Sequence, residues 1–300
     1  MDLRQLDSFR HVVREGSFTA AAKRLHMTQP AISLHIKALE QELGARLMER
    51  DGKGVRLTPE GEALLEAADR AFAALEAGRR ALHQRSAPDR GTVVLACGDT
   101  VALHLLPPVL KAFRRAWPKA EVAILNHGSQ EILERVLRRE ADVGIVTRPP
   151  RLDPELWSRT LRQDPLRLVL PRRHPLAERE AVSREDLEGR AAVLLARPAE
   201  TRAVIDRALR EVGVEPRCVM ESGNLEVVKR YVREGLGWSI VPEMALGPAD
   251  LKRLVVRDLP GLPARRIVVV RRKDRAPGPL TTALLELMAR HLLDGGPSAS

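Results

Sequence analysis

Residues 20–44 read AAAKRLHMTQPAISLHIKALEQELG. A small face of Ala20, Ala21 and Ala22 runs out at Leu25. Three residues on, Thr28 is of N-cap type, and Pro30 falls in the first turn of a new helix, where a missing N–H costs little. Ile32, Ile36, Leu39 and Leu43 follow at steps of 4, 3 and 4, one apolar stripe of an α-helix, and Gly44 ends it. Gln29, Ser33 and Lys37 recur one turn apart on the other face. Upstream, Leu3, Leu6, Phe9 and Val13 mark a helix stopped by Gly16, and Ser17 caps the next. Downstream, RLMERDGKGVRLTPEG (46–61) alternates around a Gly-Lys-Gly tip, which predicts a small β-hairpin.

Two helices joined by so short a turn make either an αα-hairpin in an ordinary bundle or a helix-turn-helix. In the second case the later helix enters the major groove and its N-terminal residues reach base edges. The residue types suit that role. Gln29 bonds adenine through two contacts, Ser33 donates or accepts, Pro30 touches a thymine methyl, and Lys37 serves phosphate or guanine. With Thr28 at the cap, and Arg50 and Lys53 on the hairpin as a minor-groove wing, these are the candidate DNA contacts.

Residues 59–87 are rich in Ala, Leu, Glu and Arg and predict one helix, about 40 Å long at about 1.5 Å per residue. Leu65, Ala68, Phe72, Leu75 and Leu82 lie at 3-4-3-7 spacing, with Arg79 on the missing seam position. That spacing is a short coiled-coil register and points to a partner helix, against the alternative of a surface helix packed on its own domain. SAPDRG (86–91) reads as a linker.

Beyond the linker the pattern alternates strand and helix. Strands are expected at TVVLAC (92–97), EVAILN (121–126), ADVGIVT (141–147), LRLVLP (166–171), AAVLL (191–195), RCVME (217–221), WSIVP (238–242) and RIVVVRR (266–272). Such alternation implies an α/β region with a mainly parallel sheet, as one sheet or two lobes. GPSAS (296–300) reads as a tail.

The net charge of +10 invites a nucleic-acid reading, but residues 1–90 hold 15 basic and 13 acidic side chains, so only +2 belongs to the helical part. No apolar run reaches the length of a membrane span, and MDLRQLDSF lacks the apolar core of a signal peptide; a cytoplasmic protein without a membrane partner is expected. The sequence has no G-x-G-x-x-G, G-x-x-x-x-G-K-[ST] or G-x-S-x-G, and its eight histidines show no H-x-x-x-H pair. An α/β enzyme fused to a helical domain therefore lacks its signatures, and neither cofactor nor metal is expected. His26 and His35 read as helix-surface residues. Cys97 and Cys218, 121 positions apart in expected strands, leave a thiol-based redox sensor as an alternative, against the reading of two small buried apolar residues.

The run from Phe9 through AAAKRLHMTQPAISLHIKALEQELGARLMER to VRLTPEG resembles the LysR-type transcriptional regulators. Past the linker the likeness continues through Gly91, LLPPVLKAFRRAWP, GSQEILERVLRREADVGIVT (128–147), HPLA (174–177) and VREGLGWSIVP (232–242), and so covers nearly the whole chain. Met48 stands where the family usually has Phe and Glu60 where it has Ala, and the tip Asp51-Gly52-Lys53-Gly54 is rich in glycine. The resemblance implies an α plus α/β chain. Residues 1–58 would be a winged helix-turn-helix, 59–90 a dimerisation helix and linker, and 91–295 a two-lobed effector domain similar to periplasmic binding proteins. Lobe I would take 91–161 and 267–295, and lobe II 162–266, with crossing strands near Leu161–Asp164 and Ala264–Ile267. It implies double-stranded promoter DNA, a small-molecule effector, a homodimer or homotetramer, and RNA polymerase as partners.

In such a domain ligands sit where strand ends meet helix N-termini, whose free N–H groups favour anions. The candidates are Asp99, Thr100, Gly128, Ser129 and Thr147 on one side, and Thr201, Arg202, Ser222, Gly223 and Asn224 on the other. A carboxylate or oxyanion suits this ring; for any one member a plain capping role is the alternative. Thr100 and HGSQEI (127–132) are also similar to the family's cysteine-biosynthesis branch.

Overall fold

A computed structural model describes residues 1–51, 54–86, 89–183, 185–274 and 276–292; Lys53 and the expected tail lie outside them. The chain divides into two compact units between Arg79 and Arg80.

The first unit holds α1 (Leu3–Glu15), α2 (Phe18–Arg24), α3 (Gln29–Leu43), β1 (Met48–Asp51), β2 (Gly54–Leu57) and most of α4 (Pro59–Ser86). Asp2 caps α1 by accepting from Gln5 N at 2.8 Å, while the Gln5 side chain accepts from Asp2 N. Ser17 and Thr28 cap α2 and α3 as expected, and Gly16 and Gly44 end α1 and α3 in the left-handed region, at φ 63° and 64°. Leu6, Phe9, Val12, Ile32, Ile36, Leu39 and Leu47 form the core. Leu3 and Leu43, expected on the apolar stripes, stay exposed at helix ends, past the reach of that core. β1 and β2 pair antiparallel as the hairpin, from Met48↔Leu57 to Asp51↔Gly54.

The second unit contains β3 (Gly91–Cys97), α5 (Asp99–His104), α6 (Leu106–Ala116), β4 (Ala120–Asn126), α7 (Ser129–Leu137), β5 (Val143–Thr147), β6 (Leu156–Pro171), β7 (Ala191–Leu195), α8 (Glu200–Glu211), β8 (Arg217–Ser222), α9 (Leu225–Arg233), β9 (Ser239–Pro242), α10 (Pro248–Leu251), β10 (Leu254–Arg257), β11 (Ala264–Arg272) and α11 (Pro279–Leu292). The expected mainly parallel sheet is instead mixed. β3 pairs parallel with β4 and β5, and β7 with β8, but β11 runs antiparallel to β5 and β6, as do β9 and β10 to β6. Helical crossovers impose parallel neighbours only where they occur; β6 and β11 return without one. β10 and the first ten residues of β6 were not legible as strands.

Two cores flank this long pair. One gathers Val93, Leu95, Phe113, Ile145, Leu161, Ile267 and Leu284; the other gathers Leu166, Leu168, Leu194, Ile205, Trp238 and Leu259. β6 passes from the first core to the second between Leu161 and Leu166. Across that step Arg265 lies opposite Asp164, and Ile267 opposite Arg162.

One glycine sets a close approach in the first unit. Thr58 Oγ1 donates to Arg46 O at 2.7 Å and accepts from Gly61 N at 3.1 Å, which draws the start of α4 onto Leu47. A Cβ at Gly61 would fall 1.9 Å from Leu47 O, a backbone atom. Gly61→Ala should therefore destabilise this unit by about 1–3 kcal/mol, the usual cost of overpacking. Chemical denaturation of the full chain checks it, and an unchanged first transition would contradict the contact.

Candidate functional site

The first unit presents the N-terminal face of α3 to solvent. Thr28, Pro30 and Lys37 are exposed, and Gln29 and Ser33 half-buried. Gln29 Nε2 donates to Ser33 Oγ at 2.9 Å, so the two already hold each other one turn apart. Leu34, 66% exposed, sits on this face between Pro30 and Lys37. The sequence reading missed it because leucine is normally counted toward a core. Thr28 Oγ1 accepts from Ala31 N and so also serves as the cap. Arg50 lies in β1, with its side chain outside the described residues. His26 is exposed at positive φ, whereas His35 is half-buried with Nδ1 2.7 Å from the buried Ser8 Oγ.

On α4, Ala68 is buried and Leu65 and Phe72 pack on the first unit's own core. Arg10 lies over the Phe72 ring at 4.3 Å and its Nε donates to Asp69 at 2.5 Å. These three seam positions are thus taken up by their own domain, the alternative weighed for this helix. Leu75 and Leu82 remain exposed.

In the second unit a cleft of about 320 Å³ opens between the ends of β3, β4 and β5 and the starts of α8 and α9. Asp99, Thr100, Gly128, Ser129, Thr147, Thr201 and Gly223 line it, with Asn126, His127, Glu200 and Arg265, which sequence reasoning missed. No side chain caps the starts of α5, α7 or α8. Arg265 forms the floor at 4% side-chain exposure. Its Nε donates to Asp164 at 2.8 Å, and its Nη1 to Thr201 Oγ1 at 2.8 Å and Thr147 Oγ1 at 3.4 Å. Its Nη2 is buried with no hydrogen-bond partner among the described residues. Burial opposes the Arg265 charge and Asp164 sustains it. Asp164 accepts from Met244 N at 2.9 Å as well, so its oxygens are committed.

Two family descriptions match the chain: "Bacterial regulatory helix-turn-helix protein, lysR family" over residues 3–62, and "LysR substrate binding domain" over 86–293. The chain belongs to the LysR family. HTH-type transcriptional regulator CbbR of Xanthobacter flavus is 33% identical, covering 96% of this chain and 87% of that one. A probable RuBisCO transcriptional regulator of Emiliania huxleyi is 31% identical over 81% of this chain and 79% of that one. The crystal structure of full-length CbnR complexed with its target DNA aligns with a TM-score of 0.74 and 28% identity, covering 97% and 100% of the two chains. The protein is thus a LysR-type, DNA-binding transcriptional regulator with an effector-binding domain, and its relatives are regulators rather than enzymes.

Three residues expected in the effector ring of this LysR-type chain sit elsewhere. Arg202 is 3% exposed and bonds Asp206 at 2.7 Å, Glu221 at 2.8 Å and the Leu195 carbonyl; these partners turn it away from the cleft. Asn224 caps α9, accepting from Glu226 N and Val227 N, and Ser222 Oγ accepts from Asn224 N. The capping alternative describes Asn224; Ser222 ends β8 and holds the turn that leads into the cap. Nothing in the sequence distinguished Arg265 from the chain's 42 arginines; only its register opposite Asp164 does.

The thiols differ from the expectation of two buried residues: Cys97 is buried, but Cys218 is exposed. Burial pushes the Cys97 thiol up to about 12, helped by Asp99. Cys218 is also raised, first by its partial burial and then by Glu221. Raised thiols are poor nucleophiles at neutral pH, which argues against redox sensing. An alkylating reagent at pH 8 should label Cys218 slowly in the native protein and Cys97 only after denaturation. Rapid native labelling of Cys97 would restore the redox reading.

Proposed function

We infer that this LysR-type regulator answers to a small effector bearing an acidic group, which seats on Arg265 at the floor of the cleft. The single observation that carries this is the buried Nη2 without a protein partner, since a buried donor left unpaired costs roughly 1–3 kcal/mol that a ligand oxygen would recover. The Thr147–Thr201 hydroxyl pair, with one hydrogen left after its mutual bond, and the uncapped start of α7 supply further donors. Thr147 comes from the first half of the unit and Thr201 from the second, so a ligand bonded to both favours their approach.

In this reading residues 1–58 read DNA and 91–295 sense the effector. Thr28, Gln29, Pro30, Ser33, Leu34 and Lys37 meet the major groove, with Arg50 and Lys53 on the wing. Leu75 and Leu82 of the 59–90 segment offer the apolar face left for a second copy. RNA polymerase is the partner acted on, and the cytoplasm the location; no helix of the described residues is long and apolar enough to cross a membrane. The names of the relatives make RuBisCO genes the first targets to try.

Two measurements test this. Fluorescence anisotropy on the chain's own upstream DNA and a scrambled duplex, across a salt series, should show tighter, less salt-sensitive binding to the native fragment. Gln29→Ala should cost about 1–3 kcal/mol on that fragment only, whereas equal losses on both duplexes would remove the base contact. Arg265→Lys keeps a charge for Asp164 but removes Nη2. Calorimetric titration with sulfate and succinate should weaken at least about tenfold in this variant, as expected for a lost charge-assisted hydrogen bond. Unchanged affinity would overturn the Arg265 assignment.

A further inference from the structure

The cleft that offers Arg265 to an anion also contains two carboxylates. Asp99 is the first residue of α5 and Glu200 the first of α8, and both line the cavity with Arg265. Neither joins a hydrogen bond or ion pair among the described residues. An acid at a helix start is ordinarily explained by the helix dipole, and that accounts for where each lies in its own helix. It does not account for both in a cavity whose buried arginine has a hydrogen-bonding nitrogen to spare. Burial pushes the Glu200 carboxyl up, with Arg207 pulling the other way, so this carboxylate is not fully compensated by the protein.

The formal charges decide what the cavity accepts. Arg265 contributes one positive charge, already balanced by Asp164. His127 is paired with Glu131 at 3.0 Å. Asp99 and Glu200 then leave the lining negative. A ligand that is only an anion gains hydrogen bonds at Nη2 but meets two like charges in a confined space. A ligand that also carries an ammonium group satisfies both ends.

We propose that the effector is a small zwitterion of amino-acid type, its acidic group on Arg265 and its ammonium group on Asp99 and Glu200. This rests on the Arg265 reading above and narrows it. At about 320 Å³ the cavity is at the small end of ligand sites, of a size for an amino acid with a short side chain rather than a nucleotide. The two acids select against isosteric hydroxy acids, which lack the positive charge, and against simple dicarboxylates.

The test uses the full-length protein, titrated by calorimetry with matched probes: L-aspartate against L-malate and succinate, and O-phosphoserine against 3-phosphoglycerate. At least one amino compound should bind about tenfold tighter than its hydroxy partner, and the double variant Asp99→Asn/Glu200→Gln should abolish that preference. Sulfate supplies a second arm that does not depend on finding the native effector. Removing the two acids should tighten sulfate binding about tenfold, while Arg265→Lys should weaken it. Sulfate affinity unchanged in the double variant, or hydroxy acids binding as tightly as amino acids, would overturn the zwitterion assignment and leave Arg265 as an anion site. Sulfate binding indifferent to Arg265→Lys would instead remove the anion site, and the zwitterion with it.

Discussion

A buried ion pair ties together the two longest strands of the second unit. Arg265 on β11 and Asp164 on β6 lie opposite each other where the two strands pass from one core to the other, with side-chain exposures of 4% and 1%. Two charges this deeply buried are tolerated only when their remaining hydrogen-bonding groups are satisfied, and losing one partner typically costs about 3–5 kcal/mol. Asp164 meets that condition by accepting from both Arg265 and Met244 N. Arg265 meets it everywhere but Nη2. The pair therefore joins the crossing strands, on a residue that also lines the cleft, and leaves one buried donor without a partner among the described residues. The group that fastens the fold is also part of the cleft's lining.

Two contacts join the halves of the second unit beside the cleft. Thr147 ends β5 and Thr201 sits in the first turn of α8, elements belonging to the two cores, and their hydroxyls lie 3.3 Å apart beneath the cleft. A second link across the cleft is His104 of α5 with Glu226 of α9, at 3.4 Å; Glu226 in turn pairs with the buried Lys229, which is held by Asp250. Contacts of this kind exist only when the two halves are close. A ligand changes the balance between open and closed forms only by the difference in its affinity for them. Thr147 and Thr201 come from the two sides of the cleft.

The DNA-reading unit follows a different economy. The side chains on the solvent face of α3 are not buried in a core; they are presented by it. Ile32, Ile36 and Leu39 fix the helix against α1, and the opposite face follows from the helical repeat. Leu34 is the unusual member, a large apolar group left 66% exposed between polar neighbours. Such a group suits contact with thymine methyls better than with any polar base edge. The α4 helix shows how a local pattern is claimed by whichever surface is nearest. Its heptad register is genuine, but Leu65, Ala68 and Phe72 fall alongside the first unit's core, which covers them.

The sequence by itself determined the helices and turns of the first unit, which face of α3 stays toward solvent, and the family, because those depend on residues within a turn or two of each other. Asp2, Ser17, Thr28, Gly16 and Gly44 act on the backbone beside them, and their roles are readable wherever they stand. In the second unit the strand–helix alternation and seven of the ten proposed cleft positions were legible for the same reason: they lie at strand ends and helix starts. The mixed sheet, the length of β6 and the existence of β10 were not, since pairing partners such as Leu254↔Pro171 are set by contacts far apart in the chain. Arg202 and Arg265 make the point most sharply. Both are arginines in plausible places, yet one is consumed by Asp206 and Glu221, and the other lines the cleft with one nitrogen unpartnered among the described residues. Whether a charge is spent or available depends on which acids the folded chain brings to it, and only the tertiary structure decides that.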